Sequence, residues 1–247
     1  MRNIWTISKR EFKSYFASPV AYTVALLVLG IIGIVFVYNT VTYTFNPYGT
    51  ADAPDIRMIT GPMAFMFMLA IPAITMRLLA DEIRMGTMEL LMTAPLRDYE
   101  LVIGKWFGAF LFTLVIIGIS LVFPFMLNQM VKPGIDQMQM IASYLGVILA
   151  VAALLGLGIG ISALFENQIA AFFTTLVLFV FLWWLIGAPA NILPAGGEVF
   201  GYFDMSGQLA NNFNEGIIKL SNVIYFLSLT SLGLFIGSTA VEIRRWR

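Results

Sequence analysis

The sequence predicts an all-α membrane protein with six transmembrane helices, and three observations support this prediction. Of the 247 residues, 60% are apolar and 11% are charged, whereas soluble domains are about 45–50% apolar and about 25% charged. Six windows are long and apolar enough to cross a hydrocarbon core of about 30 Å. Lysine and arginine gather on one predicted side of the membrane. Because no polar stretch is long enough for a soluble domain, we expect residues 1–247 to form a single membrane domain.

Each predicted span corresponds to one apolar window. The windows are 20–41, 62–79, 106–130, 140–164, 169–187 and 223–241. The first is longer than the about 7–15 apolar residues of a cleavable signal peptide, and no small-residue cleavage site follows it, so we expect it to remain as a span. Only residues 165–168 separate the fourth and fifth windows, which predicts a tight antiparallel hairpin. Pro72 and Pro124 lie inside the second and third windows and predict kinks.

Positive residues indicate the orientation. With six spans, the two termini share a side with the segment after the second span. All but three of the 14 lysine and arginine residues lie on that side, the exceptions being Arg57, Lys132 and Lys219. The positive-inside rule therefore predicts that both termini are cytoplasmic.

The segment 1–18 precedes the first span and is too polar to cross a membrane. On a helical wheel its apolar residues share one face and its basic residues another. The apolar set is Ile4, Trp5, Phe12, Tyr15 and Phe16, and the basic set is Arg2, Lys9, Arg10 and Lys13. This pattern is typical of a helix that lies in the headgroup layer, with Trp5, Lys9, Arg10, Phe12, Lys13 and Phe16 at the membrane interface. Ser18-Pro19 would end the helix; a disordered basic tail is the alternative.

Residues 188–222, before the last window, are interrupted by helix-breaking residues. Pro189, Pro194, Gly196, Gly197 and Gly201 divide short apolar clusters from one another. We expect short helices that dip into the outer leaflet, and an ordinary extracellular loop is the alternative.

Small residues recur at helical spacing in two places. Gly104 and Gly108 are four residues apart, and Gly156, Gly158 and Gly160 alternate within the fourth window. Such spacing lets helix backbones approach closely in a membrane. General tolerance of glycine in membrane helices explains the same pattern, and the two explanations stay open.

Several kinds of chemistry lack their residues. The chain has no cysteine and no histidine, which removes thiolate chemistry and the commonest zinc and haem ligands. No charged residue lies near the middle of a window, unlike the ion sites of most coupled carriers, although Na⁺ sites built from carbonyl and hydroxyl groups stay open. Trp106 follows Gly104-Lys105, where a phosphate-binding loop requires Ser or Thr. A net charge of zero indicates no nucleic acid partner. We expect no catalytic residues, no bound metal or cofactor and no enzyme activity in this chain alone.

The segment 81–100, between the second and third windows, carries the functional signal. Gly86 can end a helix, and Thr87 and Glu89 favour the start of another. Pro95 would stop that helix, and Asp98 can cap the next one. A short amphipathic helix on the cytoplasmic surface would dock another protein. The alternative is a helical turn that only joins two spans, and the residues by themselves leave both open.

The run from residue 81 to residue 106 resembles the hallmark segment of ABC-2-type transporter permeases, which has an acidic residue, Gly-Thr-x-Glu-x-Leu, a proline and Gly-Lys. The matching residues are Glu82, Arg84, Gly86, Thr87, Glu89, Leu90, Leu91, Pro95, Gly104 and Lys105. The opening around Phe16-Ala17-Ser18-Pro19 resembles the gliding-motility-associated branch of this family. The six spans and the broken outer segment are similar as well, so the resemblance covers the whole chain.

The resemblance implies a permease subunit of an ATP-driven exporter in a prokaryotic inner membrane. Two permeases, identical or homologous, would pair near their second and fifth spans and sit on two copies of an ABC ATPase that holds ATP and Mg²⁺. Coupling to the ATPase would use Glu82, Arg84, Gly86, Thr87, Glu89, Leu90, Leu91 and Pro95, with a second contact at Glu166, Asn167 and Gln168. The cargo would be amphipathic, lipid-like or polymeric. The alternatives are a membrane scaffold that docks an ATPase without moving cargo, and an independent carrier.

Overall fold

The computed structural model describes residues 2–45, 54–87, 97–132, 134–191 and 197–245. Every regular element in these ranges is helical. Six helical stretches in them are long and apolar enough to cross a membrane, so the predicted fold class is confirmed. We name them spans 1 to 6: Pro19–Phe45, Arg57–Arg84, Asp98–Met130, Gln137–Leu164, Gln168–Ala190 and Leu220–Arg244.

The helices are numbered in chain order. They are α1 Arg2–Ala17, α2 Pro19–Phe45, α3 Arg57–Thr75, α4 Ala80–Arg84, α5 Asp98–Ser120, α6 Val122–Met130, α7 Gln137–Leu164, α8 Gln168–Val180, α9 Gly197–Phe203, α10 Met205–Ala210 and α11 Leu220–Arg245. A π-helical turn, Phe181–Leu185, extends α8. Helix α5 begins eight residues before the predicted window at residue 106, because its first two turns, which contain the charged residues Asp98, Glu100 and Lys105, are helical as well.

Span 4 is the centre of the bundle. Its most apolar window is 83% buried, whereas those of spans 1 and 5 are each 28% buried. Its glycines allow this position, because a Cβ atom on Gly156 would lie 2.8 Å from the backbone oxygen of Thr230, and one on Gly160 would lie 2.6 Å from that of Gly233. Span 6 therefore lies backbone to backbone against span 4, which favours the close-approach explanation of these glycines.

Pro124 interrupts span 3 as predicted. The span divides at Leu121 into α5 and α6, because proline has no N–H to donate to the carbonyl four residues earlier. That carbonyl belongs to Ser120, and the hydroxyl of Tyr144 on span 4 donates to it at 3.2 Å. The freed backbone oxygen is thus satisfied by a neighbouring span, as the apolar surroundings require.

Span 2 is interrupted after α3. Helix α3 continues through Pro72 and ends at Thr75, so the break follows the proline by one turn. The amides of Leu79 and Ala80 beyond the break donate to the Ser162 hydroxyl of span 4 at 3.2 and 3.1 Å. Span 4 therefore holds the start of α4 at the end of the bundle where α1 lies.

The segment before span 6 contains the short helices that the breakers predicted. Asp204 caps helix α10, because its carboxylate accepts hydrogen bonds from the amide and hydroxyl of Ser206. The hydroxyl of Tyr225 on span 6 donates to the carbonyl of Phe203 at 2.8 Å. Helix α9 is thereby attached to span 6, and the location of α9 and α10 in the outer leaflet stays a prediction.

Candidate functional site

A buried charge cluster joins three helices at the end of the bundle where α1 lies. Lys105, in the second turn of α5, is 2% exposed. Its ammonium nitrogen lies 2.8 Å from a carboxylate oxygen of Glu82 on α4 and 3.1 Å from one of Glu11 on α1. Arg10 approaches the same two carboxylates at 3.9 and 3.4 Å. We call these four residues the Lys105 cluster.

The cluster is an electrostatic clamp. An ammonium removed from water is costly unless opposite charges surround it, and here two carboxylates from other helices do so. The Glu82 and Glu11 side chains are 16% and 13% exposed, so water screens these pairs less than surface pairs. The segment that contains α4 is therefore fastened to α1 and to span 3 at a single nitrogen atom.

Beside the cluster lies a cavity of about 270 Å³ whose wall includes Glu11, Asp81, Glu82 and Lys105. The second carboxylate oxygen of Glu82 is buried and has no hydrogen-bond partner among the described residues. A polar cavity of this size has room for water that bonds to such an oxygen.

Helix α1 reaches the cluster because span 3 has glycines where α1 packs. A Cβ atom on Gly104 would lie 2.8 Å from Ile7, and one on Gly108 would lie 2.6 Å from Glu11. The Ser8 hydroxyl donates to the carbonyl of Gly104 at 2.9 Å. Of the two explanations left open for these glycines, close approach is therefore the one that applies, and the partner is α1.

Further contacts extend the α1–α5 packing in both directions. The Asn3 side chain donates to Glu100 at 3.1 Å, and the ring of Tyr15 stacks on Phe112 at 4.9 Å. Partners advance together along both helices, so α1 runs beside the first half of α5 in the same direction. Burial raises the pKa of the Tyr15 hydroxyl, and the nearby Glu11 carboxylate raises it further, so Tyr15 stays neutral.

The predicted membrane-interface residues divide into two groups. Trp5, Lys9, Arg10, Lys13 and Phe16 are exposed, whereas Phe12 is half-buried. The most buried residues of α1 are Ile7 and Ser8, which the helical-wheel prediction did not include. Span 3 covers that face, and the side that carries Trp5 and the lysines is left exposed. The helix itself is confirmed, and its location in the headgroup layer stays a prediction.

The segment 81–100, which we call the coupling segment after its predicted role, is described up to Thr87 and again from Arg97. Gly86 ends the α4 turn with a φ of +68°, a left-handed conformation that favours glycine, so the predicted helix break is present. Arg84 is exposed and pairs with Asp81 at 3.3 Å, and the Thr87 hydroxyl donates to the carbonyl of Glu82 at 3.3 Å. Glu89, Leu90, Leu91 and Pro95 lie outside the described residues.

The predicted cap at Asp98 is wrong by one residue. Arg97 occupies the cap position and Asp98 is the first residue of α5. The reason is that the carboxylate of Glu100 reaches back and accepts a hydrogen bond from the amide of Arg97 at 3.2 Å. This single hydrogen bond, which is one half of a capping box, marks the start of span 3.

The hairpin between spans 4 and 5 is as short as predicted. Asn167 caps α8, because its side chain accepts a hydrogen bond from the amide of Ile169 at 2.9 Å, and Gln168 is the first residue of that helix. Glu166 is 72% exposed and lies 3.1 Å from Arg244 near the end of α11. Since Ser162, just before the hairpin, binds the start of α4, the hairpin and α4 lie at the same end of the bundle.

Comparison with known proteins adds one finding. A family model described as ABC-2 family transporter protein matches residues 5–232. The match begins within α1 and includes the Lys105 cluster, the coupling segment and the hairpin. A search of curated proteins found no match.

Proposed function

Because the chain belongs to the ABC-2 family of transporter proteins and is a multi-pass permease subunit of an ABC transporter, we propose that it forms half of the membrane part of an ATP-driven exporter. Two permeases, identical or homologous, pair in a prokaryotic inner membrane with their termini in the cytoplasm. Two copies of a separate ABC ATPase bind below them and hydrolyse ATP with Mg²⁺. The chain itself supplies docking surfaces and the pathway.

The Lys105 cluster is the observation that carries this proposal. An ATPase that moves the coupling segment needs a stiff connection from that segment to the spans. Glu82 supplies it, because its carboxylate turns inward to Lys105 of span 3 and is largely hidden from solvent. Contact with the ATPase is then made by Arg84, by the residues from Glu89 to Pro95 and by the Glu166 hairpin.

Motion would pass along two connections. Lys105 carries displacement of α4 into span 3 and α1 together, and Ser162 carries it into span 4 at the centre of the bundle. A shift of a rigid element between two packed arrangements is the usual way in which such a displacement reaches distant spans. The proposed transmission from α4 to the spans rests on a contiguous set of buried contacts, not on proximity alone.

A cavity between the spans supports the proposal of an amphipathic or lipid-like cargo. A cavity of about 300 Å³ near the end opposite α1 lies among spans 2, 4 and 5, and its apolar wall includes Phe65, Trp183 and Trp184. Thr60 and Asn214 lie at its polar edge and hydrogen-bond to each other at 3.1 Å. Apolar walls with a few polar groups suit a molecule with both characters.

The proposal is tested by reconstitution. Affinity purification of the chain from its native membrane, with mass spectrometry, identifies the ATPase that accompanies it. The purified complex is then placed in vesicles that contain fluorescent phospholipids and amphipathic probes. We expect movement of at least one probe that depends on ATP and stops when the ATPase lacks its catalytic carboxylate.

Two outcomes would overturn the exporter. If the complex forms and hydrolyses ATP but moves no cargo from a broad panel, the chain is a scaffold that docks an ATPase. If the chain alone moves cargo without any ATPase, it is an independent carrier.

A further inference from the structure

A groove beside α1 has no part in the coupling site. It has a volume of about 570 Å³ and lies between α1 and span 3. Trp5 and Phe12 form one wall, and Leu111, Leu114 and Val115 form the other. The groove faces outward from the bundle, with Trp5 59% exposed and Val115 37% exposed.

Two lysines lie at the edge of this apolar groove. Lys9 and Lys13 line it, are both exposed, and are one helical turn apart on α1, so their ammonium groups lie on the same face. Within the described ranges neither has a carboxylate at ion-pair distance, whereas the neighbouring Arg10 pairs with Glu11 and Glu82. Two unneutralised cations therefore adjoin an apolar channel.

We propose that this groove binds an anionic phospholipid of the cytoplasmic leaflet. One acyl chain lies against Trp5, Phe12 and Leu114, and the negative headgroup lies between Lys9 and Lys13. The groove is apolar and its edge is positively charged. An occupant that complements both needs a long apolar part and a negative group within one molecule. Lysine suits the role, since its apolar stem follows the groove wall while its ammonium reaches the headgroup, and the Trp5 indole suits the boundary between tail and headgroup.

The inference rests on the proposed cytoplasmic position of α1, where anionic lipids supply the negative surface. A lysine near such a surface contributes a preference of roughly fivefold, so the pair predicts a preference of roughly 25-fold for an anionic over a zwitterionic lipid. Neither the ATPase nor any cargo enters the prediction, so its failure would be distinguishable from failure of the proposed transport.

The test uses the fluorescence of Trp5. The protein is reconstituted in vesicles with phosphatidylglycerol or phosphatidylcholine brominated on the acyl chains, at equal mole fraction, and compared with the Trp5→Phe variant to isolate the Trp5 signal. We expect brominated phosphatidylglycerol to quench Trp5 at much lower mole fraction than brominated phosphatidylcholine. Native mass spectrometry should show a retained phosphatidylglycerol molecule in the wild type.

Matched variants separate the headgroup from the chain. The double variant Lys9→Gln/Lys13→Gln should lose the preference for phosphatidylglycerol and keep quenching by either lipid, whereas Lys219→Gln, an exposed lysine at the other end of the bundle, should keep the preference. Val115→Phe should fill the groove and weaken quenching by both lipids.

Three results would overturn the proposal. Equal quenching of wild-type Trp5 by the two lipids would exclude an anionic headgroup site. An unchanged preference in the double lysine variant would exclude the two lysines as its basis. Absence of quenching by either lipid would show that protein, such as a second copy, covers the groove.

Discussion

Replacing Lys105 with methionine tests whether the Lys105 cluster holds the coupling segment to the spans. The ammonium lies 2.8 and 3.1 Å from its two carboxylate partners, which corresponds to roughly 6 and 5 kcal/mol of gross attraction at an effective dielectric constant of about 20. Desolvation of the three charges cancels much of this attraction. Loss of one partner of a buried network typically costs about 3–5 kcal/mol, and we expect a decrease of that size in the free energy of unfolding.

The assay has two readouts. Denaturant titration in detergent micelles measures the free energy of unfolding, and the reconstituted complex measures cargo movement per ATP hydrolysed. We expect Lys105→Met to lower both, because Glu11 and Glu82 lose the buried ammonium between them and keep only the exposed Arg10, at 3.4 and 3.9 Å.

A triple variant distinguishes packing from transmission. Glu11→Gln/Glu82→Gln/Lys105→Met removes all three charges, and uncharged replacements of a buried ion network are often close to neutral in stability. We expect recovery of most of the lost stability but not of coupling, since no strong connection between α4 and span 3 remains.

An exposed ion pair supplies the control. Arg57 contacts Glu215 at 2.7 Å, but their side chains are 48% and 41% exposed, so Arg57→Met should cost less than about 1 kcal/mol because water screens the pair. The reasoning would be refuted if Lys105→Met were no more destabilising than Arg57→Met, or if the triple variant regained full transport per ATP.

Three further predictions concern other parts of the molecule. Gly160→Ala should lower the free energy of unfolding by about 1–3 kcal/mol through overpacking, because its Cβ would lie 2.6 Å from a backbone oxygen of span 6, whereas Gly30→Ala, with no atom within 4 Å, should be nearly neutral; equal effects would contradict the packing of spans 4 and 6. Glu89→Lys should abolish co-purification of the ATPase, and an intact complex with full ATP turnover would reject that role. In this cysteine-free chain, Arg84→Cys and Ala210→Cys should react with an impermeant maleimide from opposite sides of sealed vesicles, and labelling from one side would refute the topology.

The number of spans and the family could both be predicted from the sequence. Six apolar windows became six helical spans, and the resemblance to ABC-2-type permeases is confirmed by the family match over residues 5–232. The gliding-motility branch, the cargo and the residues that contact the ATPase stay predictions. The helix breaks at Gly86 and Pro124 could also be predicted from the sequence. The reason is that the φ preference of glycine and the missing N–H of proline act within a few residues.

The contacts of the Lys105 cluster could not be predicted from the sequence. Glu82 and Lys105 were singled out as parts of a motif, but the pattern did not indicate that they meet each other. Glu11 was missed altogether, because it is 94 residues from Lys105 along the chain and nothing local marks it. The glycine pair at 104 and 108 was the available signal, since close approach of another helix to span 3 was one of its two explanations.

The sequence by itself determined that the chain crosses a membrane as helices. In lipid every backbone N–H and C=O must form a hydrogen bond within the protein. A long apolar segment therefore forms an α-helix whatever its neighbours are, because the helix satisfies these groups within the segment. The tertiary structure alone decided which helix faces are buried. Spans 1 and 4 are similarly apolar, yet their windows are 28% and 83% buried, because lipid is as apolar as the bundle interior and burial leaves no amphipathic pattern in a span. Lys105 and the glycines beside it contact α1, which is far from span 3 along the chain. Only the folded structure identifies α1 as their partner.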